Sequence, residues 1–386
     1  MRTRIALVLA LLGGLTLLPA ASAQAAPEAW KAYDGNLVAV TQGYGHGIGM
    51  SQYGAKGRAD AGQTVDQILS FYYPGTTKGT STGLIKVWIT ADDDQNVVVR
   101  PTAGLRVVDL GNGKSYTLPT AGKATAWRLT VVAGTTRVNW LKDGTWRGYR
   151  PNGKLLTGVG EFRSTANLLN LYHDGANHPY RGAMRLAAGH TINVLSLDNY
   201  LKGVVASEMP ALWATQALRA QAVAARTYAA FERTANPNRS FHVYDTTRSQ
   251  VYKGYTAEHP NTNAAITATA GRVVLYGGQL AFTQFSASNG GFTAKGGKPY
   301  LVGKADTFDT AYRNRELMIG PVTAAKIQKA YPALGTLTRV RVLERDTDHR
   351  VLKVELDGSK TGTVIIKGTA LRSLIGLRST YFSFTS

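Results

Sequence analysis

Asn199-Tyr200-Leu201-Lys202-Gly203-Val204-Val205-Ala206-Ser207-Glu208-Met209-Pro210 runs directly into an alanine-rich stretch, residues 211–233. Ala, Leu, Gln and Arg dominate that stretch and Asn236-Pro237 closes it, so it reads as a long helix. Pro210 suits a first helical turn, because its fixed φ fits and its missing N–H is no loss there. On this reading Glu208 stands in a proline-terminated turn just outside a helix N-terminus. Two effects then oppose each other. The positive helix end favours the carboxylate, by about 0.3–1 kcal/mol where exposed. Burial against Val204, Val205, Met209 and Trp213 favours the neutral acid. A capping role and a proton-donating role both fit the spacing.

Upstream, residues 84–150 break into short β-rich pieces, 85–89, 97–99, 105–108 and 129–132, separated by Asp92-Asp93-Asp94, Gly111-Asn112-Gly113 and Asp143-Gly144. Closely spaced strands of this kind indicate an antiparallel sheet or small barrel. A further run, 192–197, leads towards the Glu208 turn. Residues 54–73 read as a helix stopped by Pro74-Gly75, and a third helix is expected from Thr323 to Tyr331. Strands at 340–343, 351–356 and 364–366 follow, then a short helix near 370–374. The expected fold class is α+β: a sheet-rich core with a long helix after the Glu208 turn, plus a β-rich segment.

The chain of 386 residues carries 44 Lys and Arg against 24 Asp and Glu, a formal charge of +20. Arg2 and Arg4 precede an apolar run, 5–18, and small-residue sites at 21–25, the pattern of an export signal; the alternative is an uncleaved membrane anchor. About 360 residues remain, enough for more than one packed unit. With no cysteine there is no disulfide framework and no thiolate ligand. The positive excess draws the protein to polyanions. Outside a cell these are teichoic acids, wall glycans with acidic stems or lipid head groups. No nucleic-acid recognition module is present in the sequence, so a nucleic-acid partner is not expected.

Several words carry a family resemblance. The stretch 200–210, followed by Gln216-Ala217-Leu218-Arg219-Ala220-Gln221-Ala222-Val223-Ala224-Ala225-Arg226-Thr227-Tyr228-Ala229, resembles the signature of the SpoIID/LytB family. Tyr180-Arg181-Gly182, Asp245-Thr246-Thr247 with Gln250-Val251-Tyr252, Ser286-Ala287-Ser288-Asn289-Gly290-Gly291 and the Leu371–Thr380 stretch fit the same family. The resemblance implies a secreted, wall-associated peptidoglycan lytic transglycosylase, with Glu208 as general acid and base. Such an enzyme cleaves between N-acetylmuramic acid and N-acetylglucosamine without water, leaving a 1,6-anhydro product. One carboxyl group suffices, because the sugar's own 6-hydroxyl attacks where ordinary glycosidases need a second carboxylate. Asp198 and Asp245 are the candidates for a second carboxylate, and hydrogen bonding in a loop or turn is the commoner role for each. The LytB side of the family implies another role, enhancement of a cell-wall amidase without intrinsic cleavage. A glycan-binding wall module is a further reading. Peptidoglycan strands, and on the second reading an amidase, are the expected partners.

The same resemblance places substrate-binding residues. Gly43-Tyr44-Gly45-His46-Gly47-Ile48-Gly49-Met50-Ser51-Gln52-Tyr53-Gly54-Ala55 is similar to a glycine-histidine segment that family members usually carry near the C-terminus. Here it precedes the core, a circularly permuted order. Its glycines allow tight turns and close approach to a ligand. His46, Ser51 and Gln52 are expected to line the cleft, a structural turn being the alternative. Tyr200, Arg226, Tyr228, Gln250, Ser286, Ser288 and Asn289 complete the expected set. Arg226 lies too far along a straight helix to pair with Glu208. It grips either a ligand carboxylate or a core acid. Some family members bind zinc through cysteine and histidine near residues 241–250. This chain has Tyr244, Arg248 and Ser249 there, and His242 with Asp245 falls short of four ligands, so no zinc and no cofactor are expected. The expected organisation is 1–25 signal, 26–83 glycine-histidine segment and helix, 84–160 β-rich segment, 161–386 SpoIID-like core.

Overall fold

A computed structural model describes residues 26–119, 124–360 and 362–385. The export signal lies outside the described residues. The chain is α+β, with 24% of residues in helix and 35% in strand, so sheet dominates.

Two antiparallel sheets form the largest core. In the first, the strands Leu84–Trp88, His190–Ser196, Ala183–Ala187, Gly160–Arg163, Arg106–Asp109 and Lys114–Thr117 lie side by side, with Val243–Tyr244 added in parallel at one edge. The second runs Thr145–Tyr149, Thr135–Lys142, Ala126–Val132, Val97–Val99, Leu168–His173, Ala176–Arg181. Trp127, Phe162, Leu171, Met184 and Tyr200 are buried in one cluster between them. Strands from both sides of position 160 share both sheets: Phe162 is registered with Val107 and with Met184. The division expected at 160/161 therefore runs through a sheet.

Seven helices occur among the described residues: α1 (Gln52–Asp60), α2 (Val65–Tyr72), α3 (Leu197–Glu208), α4 (Thr215–Ala235), α5 (Pro260–Ala268), α6 (Pro321–Ala330) and α7 (Gly368–Ile375). The single helix expected over 54–73 is two, because Thr64 and Gln67 form a reciprocal capping box that starts α2 afresh. The long helix after the Glu208 motif begins at Thr215, not at Pro210. It packs with α1, α2 and the strand Arg272–Tyr276 around Met50, Leu69, Tyr73, Leu218 and Val223.

A third core joins α6, α7 and the strands Leu337–Arg345 and Val351–Gly358 to Leu37, Phe382 and Phe384. Here Leu37–Thr41 is flanked by Arg315–Ile319 and Phe382–Thr385. Val38 stands opposite Thr385, which sets the start of the early strand beside the end of the last one. The glycine-histidine segment follows directly from Thr41. It thus enters the molecule where a continuation of the last strand through a hairpin would also enter, the arrangement a permuted order requires.

A carboxylic acid at the end of a buried helical stripe

Sequence reading takes 199–210 as a turn; the structure makes Leu197–Glu208 a helix of three turns. Ser196 caps it by accepting from the Asn199 N–H at 3.3 Å. Gly203 and the β-branched pair Val204-Val205 lower its intrinsic propensity, and tertiary packing overrides that. Leu197, Tyr200, Leu201, Val204 and Val205 are all buried, the i, i+3, i+4, i+7, i+8 spacing of one helical face. Glu208 continues the same stripe one turn further on, at a position where an apolar residue is the rule.

That position decides the electrostatics. Glu208 ends α3, so its own helix presents negative carbonyl ends, and the expected stabilisation by a positive helix N-terminus is absent. Burial pushes the carboxyl above the usual carboxylate range. The Val251 N–H, donating to Oε1 at 2.8 Å, opposes this more weakly, as does the Gln52 amide. Gln52 Nε2 nevertheless completes no well-formed hydrogen bond. Glu208 stays partly open to solvent, so the group is walled in without being sealed. No second carboxylate is among the groups that act on it.

Gln52 reaches this acid because of the glycine-histidine segment. Met50–Ser51 pairs in parallel with Phe285–Ser286, and Tyr44 exchanges backbone hydrogen bonds with Ser288 at 2.8 and 3.0 Å. The approach is too close for side chains: at Gly49, φ is +69° and a Cβ would sit 2.1 Å from the Gln284 carbonyl oxygen. Ser51 then caps α1, accepting from the Gly54 N–H and donating to Asp309 at 2.7 Å. Gln52, the first residue of α1, is buried against Glu208. Tyr53 follows, in edge contact with Trp213 at 4.8 Å and Tyr312 at 5.2 Å; Tyr44 meets Tyr312 at 5.5 Å. These four rings, all partly exposed, make an aromatic wall, with the Arg378 guanidinium 5.0 Å from the Tyr312 ring. Trp213 is expected only as apolar cover for Glu208, and Tyr53 and Tyr312 are absent from the expected site.

His46 lies elsewhere on the segment. Its Nδ1 accepts from the Ile48 N–H at 2.9 Å, and desolvation with the charges of Arg350 and Arg372 pushes it down to about 4. More than a third of the residue is open to solvent, so the ring is flanked rather than covered. The charges that act on it are those of Arg350 and Arg372.

Six of the expected contact residues are braces instead. Tyr200 and Gln250 have no exposed surface; the tyrosine hydroxyl donates to Gln250 Oε1 at 3.1 Å, and Gln250 Nε2 donates to the Ala225 carbonyl. Arg226, also fully buried, pairs with Asp198 Oδ1 at 2.7 Å and donates to the carbonyls of Arg272 and Ile266 at 3.1 and 3.2 Å. Of its two readings, the core acid holds. Ser51 and Ser288 both donate to Asp309, and Asn289 donates to Asp306 at 2.8 Å. These groups are buried and engaged, so as folded they do not reach a ligand. Ser286 is half-buried and accepts from the Gly47 N–H at 3.2 Å. Tyr228 is half-buried against Phe282, its hydroxyl pushed up to about 12 by burial. Asp198 is taken by Arg226, and Asp245 accepts from the Thr90 hydroxyl at 2.7 Å and from its N–H at 3.1 Å.

A carboxyl raised by burial, near an aromatic wall and with no carboxylate partner acting on it, describes a site whose chemistry is compatible with acid–base work. Residues 187–276 match the family model described as Stage II sporulation protein, SpoIID, and the chain carries the SpoIID/LytB segment its motifs resemble. Glu208 and Arg226 both fall inside it. The Amidase enhancer of Bacillus subtilis (strain 168) is 45% identical over 115 residues, 28% of this chain and 15% of that protein. Stage II sporulation protein D of Bacillus amyloliquefaciens is 27% identical over 221 residues, 51% of this chain and 62% of that protein. That of Bacillus subtilis (strain 168) is 51% identical over 47 residues, 12% of this chain and 14% of that protein. The matched stretches thus span less than two thirds of these relatives' own lengths.

Proposed function

We propose that this protein acts in the cell wall as a peptidoglycan lytic transglycosylase, with Glu208 as acid and then base. The observation that carries the reading is the carboxyl held above its ordinary range, partly open, on a helical stripe that would otherwise be apolar. An N–H donor faces an unprotonated oxygen, so Val251 assigns Oε1 as acceptor and leaves Oε2 to carry the proton. Oε2–H protonates the glycosidic oxygen as the C1–O bond breaks. The 6-hydroxyl of the same muramyl ring attacks C1, closing the anhydro ring, and its proton returns to Oε2. No water is consumed and Glu208 ends as it began. The aromatic wall of Tyr53, Trp213 and Tyr312 offers faces for sugar rings.

The export signal read in the sequence at the N-terminus supports work outside the cytoplasm. Among the described residues no helix is long and apolar enough to cross a membrane. A second reading has a specific support, the printed name of the relative that is 45% identical: the protein stimulates a wall amidase and cuts nothing itself. Mass spectrometry of purified glycan strands, incubated with wild-type protein and with Glu208→Gln, separates the two. Cleavage predicts 1,6-anhydromuramyl ends that the variant fails to release. Undiminished release by the variant removes Glu208 from the mechanism. No ends from either protein, with faster stem release when an amidase is added, makes the enhancer reading the correct one.

A further inference from the structure

Three strands of the second sheet carry an unusual charge. Residues 124–160 hold Arg128, Arg137, Lys142, Arg147, Arg150 and Lys154 against a single acid, Asp143. The strands Ala126–Val132, Thr135–Lys142 and Thr145–Tyr149 form a meander whose register fixes the faces. Arg137 stands opposite Thr130, Asn139 opposite both Arg128 and Gly148, and Leu141 opposite Trp146. Cross-strand partners and alternate residues share a face, so Arg128, Arg137, Asn139 and Trp146 stand together. The other face, with Trp127, Leu129 and Val138, is the buried core. Val98 opposite Arg128 extends the outer face to Arg100, whose guanidinium lies 3.9 Å from the Tyr172 ring.

The charge of this face is unpaired, although Arg100 donates to Asn177 Oδ1 and the Thr125 carbonyl at 3.3 and 3.2 Å and Arg128 lies 4.2 Å from the Trp146 ring. Among the described residues none of these cations makes an ion pair, although twelve Lys or Arg pairs with a carboxylate form elsewhere. Arg128 Nε and Arg137 Nη1 are buried without a hydrogen-bond partner. The missing side chain at Gly148 leaves a hollow of about 610 Å³ lined by Arg137, Asn139, Tyr149, Arg150 and Leu155. Arg150, Arg137, Arg128 and Arg100 therefore form a row across four adjacent strands. The row is diagonal, since Arg128 stands two residues along the strands from Arg137 and Arg100 two further; about 14 Å across the strands and about 13 Å along them make it about 20 Å long. A single small anion would satisfy one end of it; a ligand that repeats its negative charge fits the whole.

We infer that this outer sheet face is a docking surface for a phosphodiester-linked polyol polymer of the wall, separate from the Glu208 site. Guanidinium donors and phosphate oxygens match in geometry, while Asn139, Trp146 and Tyr172 suit the hydroxylated carrier between the charges. The inference rests on the wall location in the reading above and not on bond cleavage.

The test measures binding of the full secreted chain, in a Glu208→Gln background, to purified glycerol-phosphate polymer, to wall glycan stripped of that polymer, and to duplex DNA. With four arginines engaged, log K falls by about 2.8 per tenfold rise in salt, or about 50-fold between 50 and 200 mM. The double variant Arg137→Gln/Arg150→Gln halves that slope, while Lys326→Gln/Lys329→Gln, the same charge change on exposed α6, leaves it unchanged. Thermal melting of each variant confirms folding. Equal losses from both pairs, or tighter binding to DNA or stripped glycan than to the polymer, overturns the inference. Since every arm uses an acid-less variant, failure here leaves the transglycosylase reading untouched.

Discussion

Replacing Arg226 by methionine separates a brace from a ligand contact. The guanidinium has no exposed surface and makes three hydrogen bonds, one of them a charge pair with Asp198. Methionine keeps much of the volume and none of the donors. The Arg272 carbonyl then loses this donor, the Ile266 carbonyl keeps only the Thr269 N–H and hydroxyl at 3.2 and 3.3 Å, and Asp198 loses its counter-charge. Breaking a buried pair by removing one member costs about 3–5 kcal/mol. The Asp198 side chain is 37% exposed and water re-solvates it, which argues for the lower end, about 3 kcal/mol. Each kcal/mol lowers the melting temperature by about 2–4 °C in a chain above 150 residues, so a fall of about 6–12 °C is expected. The assay is thermal and urea unfolding followed by circular dichroism, paired with glycan cleavage well below the transition. Lost stability with KM for glycan strands unchanged supports the brace. An unaltered melting curve with a sharply raised KM would refute the reasoning and return Arg226 to the ligand.

Glu208→Gln also has a stability signature. A carboxyl whose folded pKa is raised adds stability that is complete below its unfolded value and lost as pH rises through the folded one. Gln is neutral throughout, so the variant should melt with wild type near pH 4 and above it at pH 8, by up to about 1.4 kcal/mol for each unit of displacement. Equal melting at pH 8 would mean the carboxylate is well solvated. The same displacement predicts cleavage that fails on the alkaline side as Oε2 deprotonates, read from a kcat against pH profile. Gly49→Ala should cost well over the roughly 1 kcal/mol of an ordinary positive-φ substitution, because its Cβ meets the Gln284 carbonyl at 2.1 Å. Gly62→Ala, at φ +80° with open space around it, is the matched control; similar unfolding free energies for the two would discount the close approach.

The α+β class, the short antiparallel strands and the long alanine-rich helix were legible because each has a local cause. Turn residues punctuate the β-rich segment, and alanine sets α4. Helix α3 was not legible as a helix, since Gly203 and Val204-Val205 argue against it locally. Its signal was the buried stripe from Leu197 to Val205, a periodicity hidden beneath a poor propensity. Sequence alone sets Glu208 at the wrong end of a helix: it closes α3 and does not stand at the start of α4. Gln52 is buried against the acid and His46 is flanked by the charges of Arg350 and Arg372, because which face of a glycine-rich loop meets a neighbour depends on pairing with Phe285–Ser286, some 235 residues away. The buried serines and asparagine failed as ligand contacts for one reason. Asp306 and Asp309 lie in the interior, and local sequence cannot show that these acids claim the donors first.

The chemistry of Glu208 is set by chain segments that the family match does not contain. Residues 187–276 supply the acid and Val251, both of which an isolated segment would retain. Tyr53 and Tyr312, with the Gln52 amide, come from outside it, and Met50 joins Met209 in one core cluster. Desolvation is the largest cause of the raised carboxyl, and desolvation belongs to whatever stands in place of water. Docking the glycine-histidine segment therefore contributes to protonation as well as to shape. The permuted position of that segment fits this requirement, since the strand that delivers it, Leu37–Thr41, is held between Arg315–Ile319 and Phe382–Thr385 and not by the acid's own helix. An environment built from parts so distant in sequence raises the carboxyl only when the whole fold has closed around it.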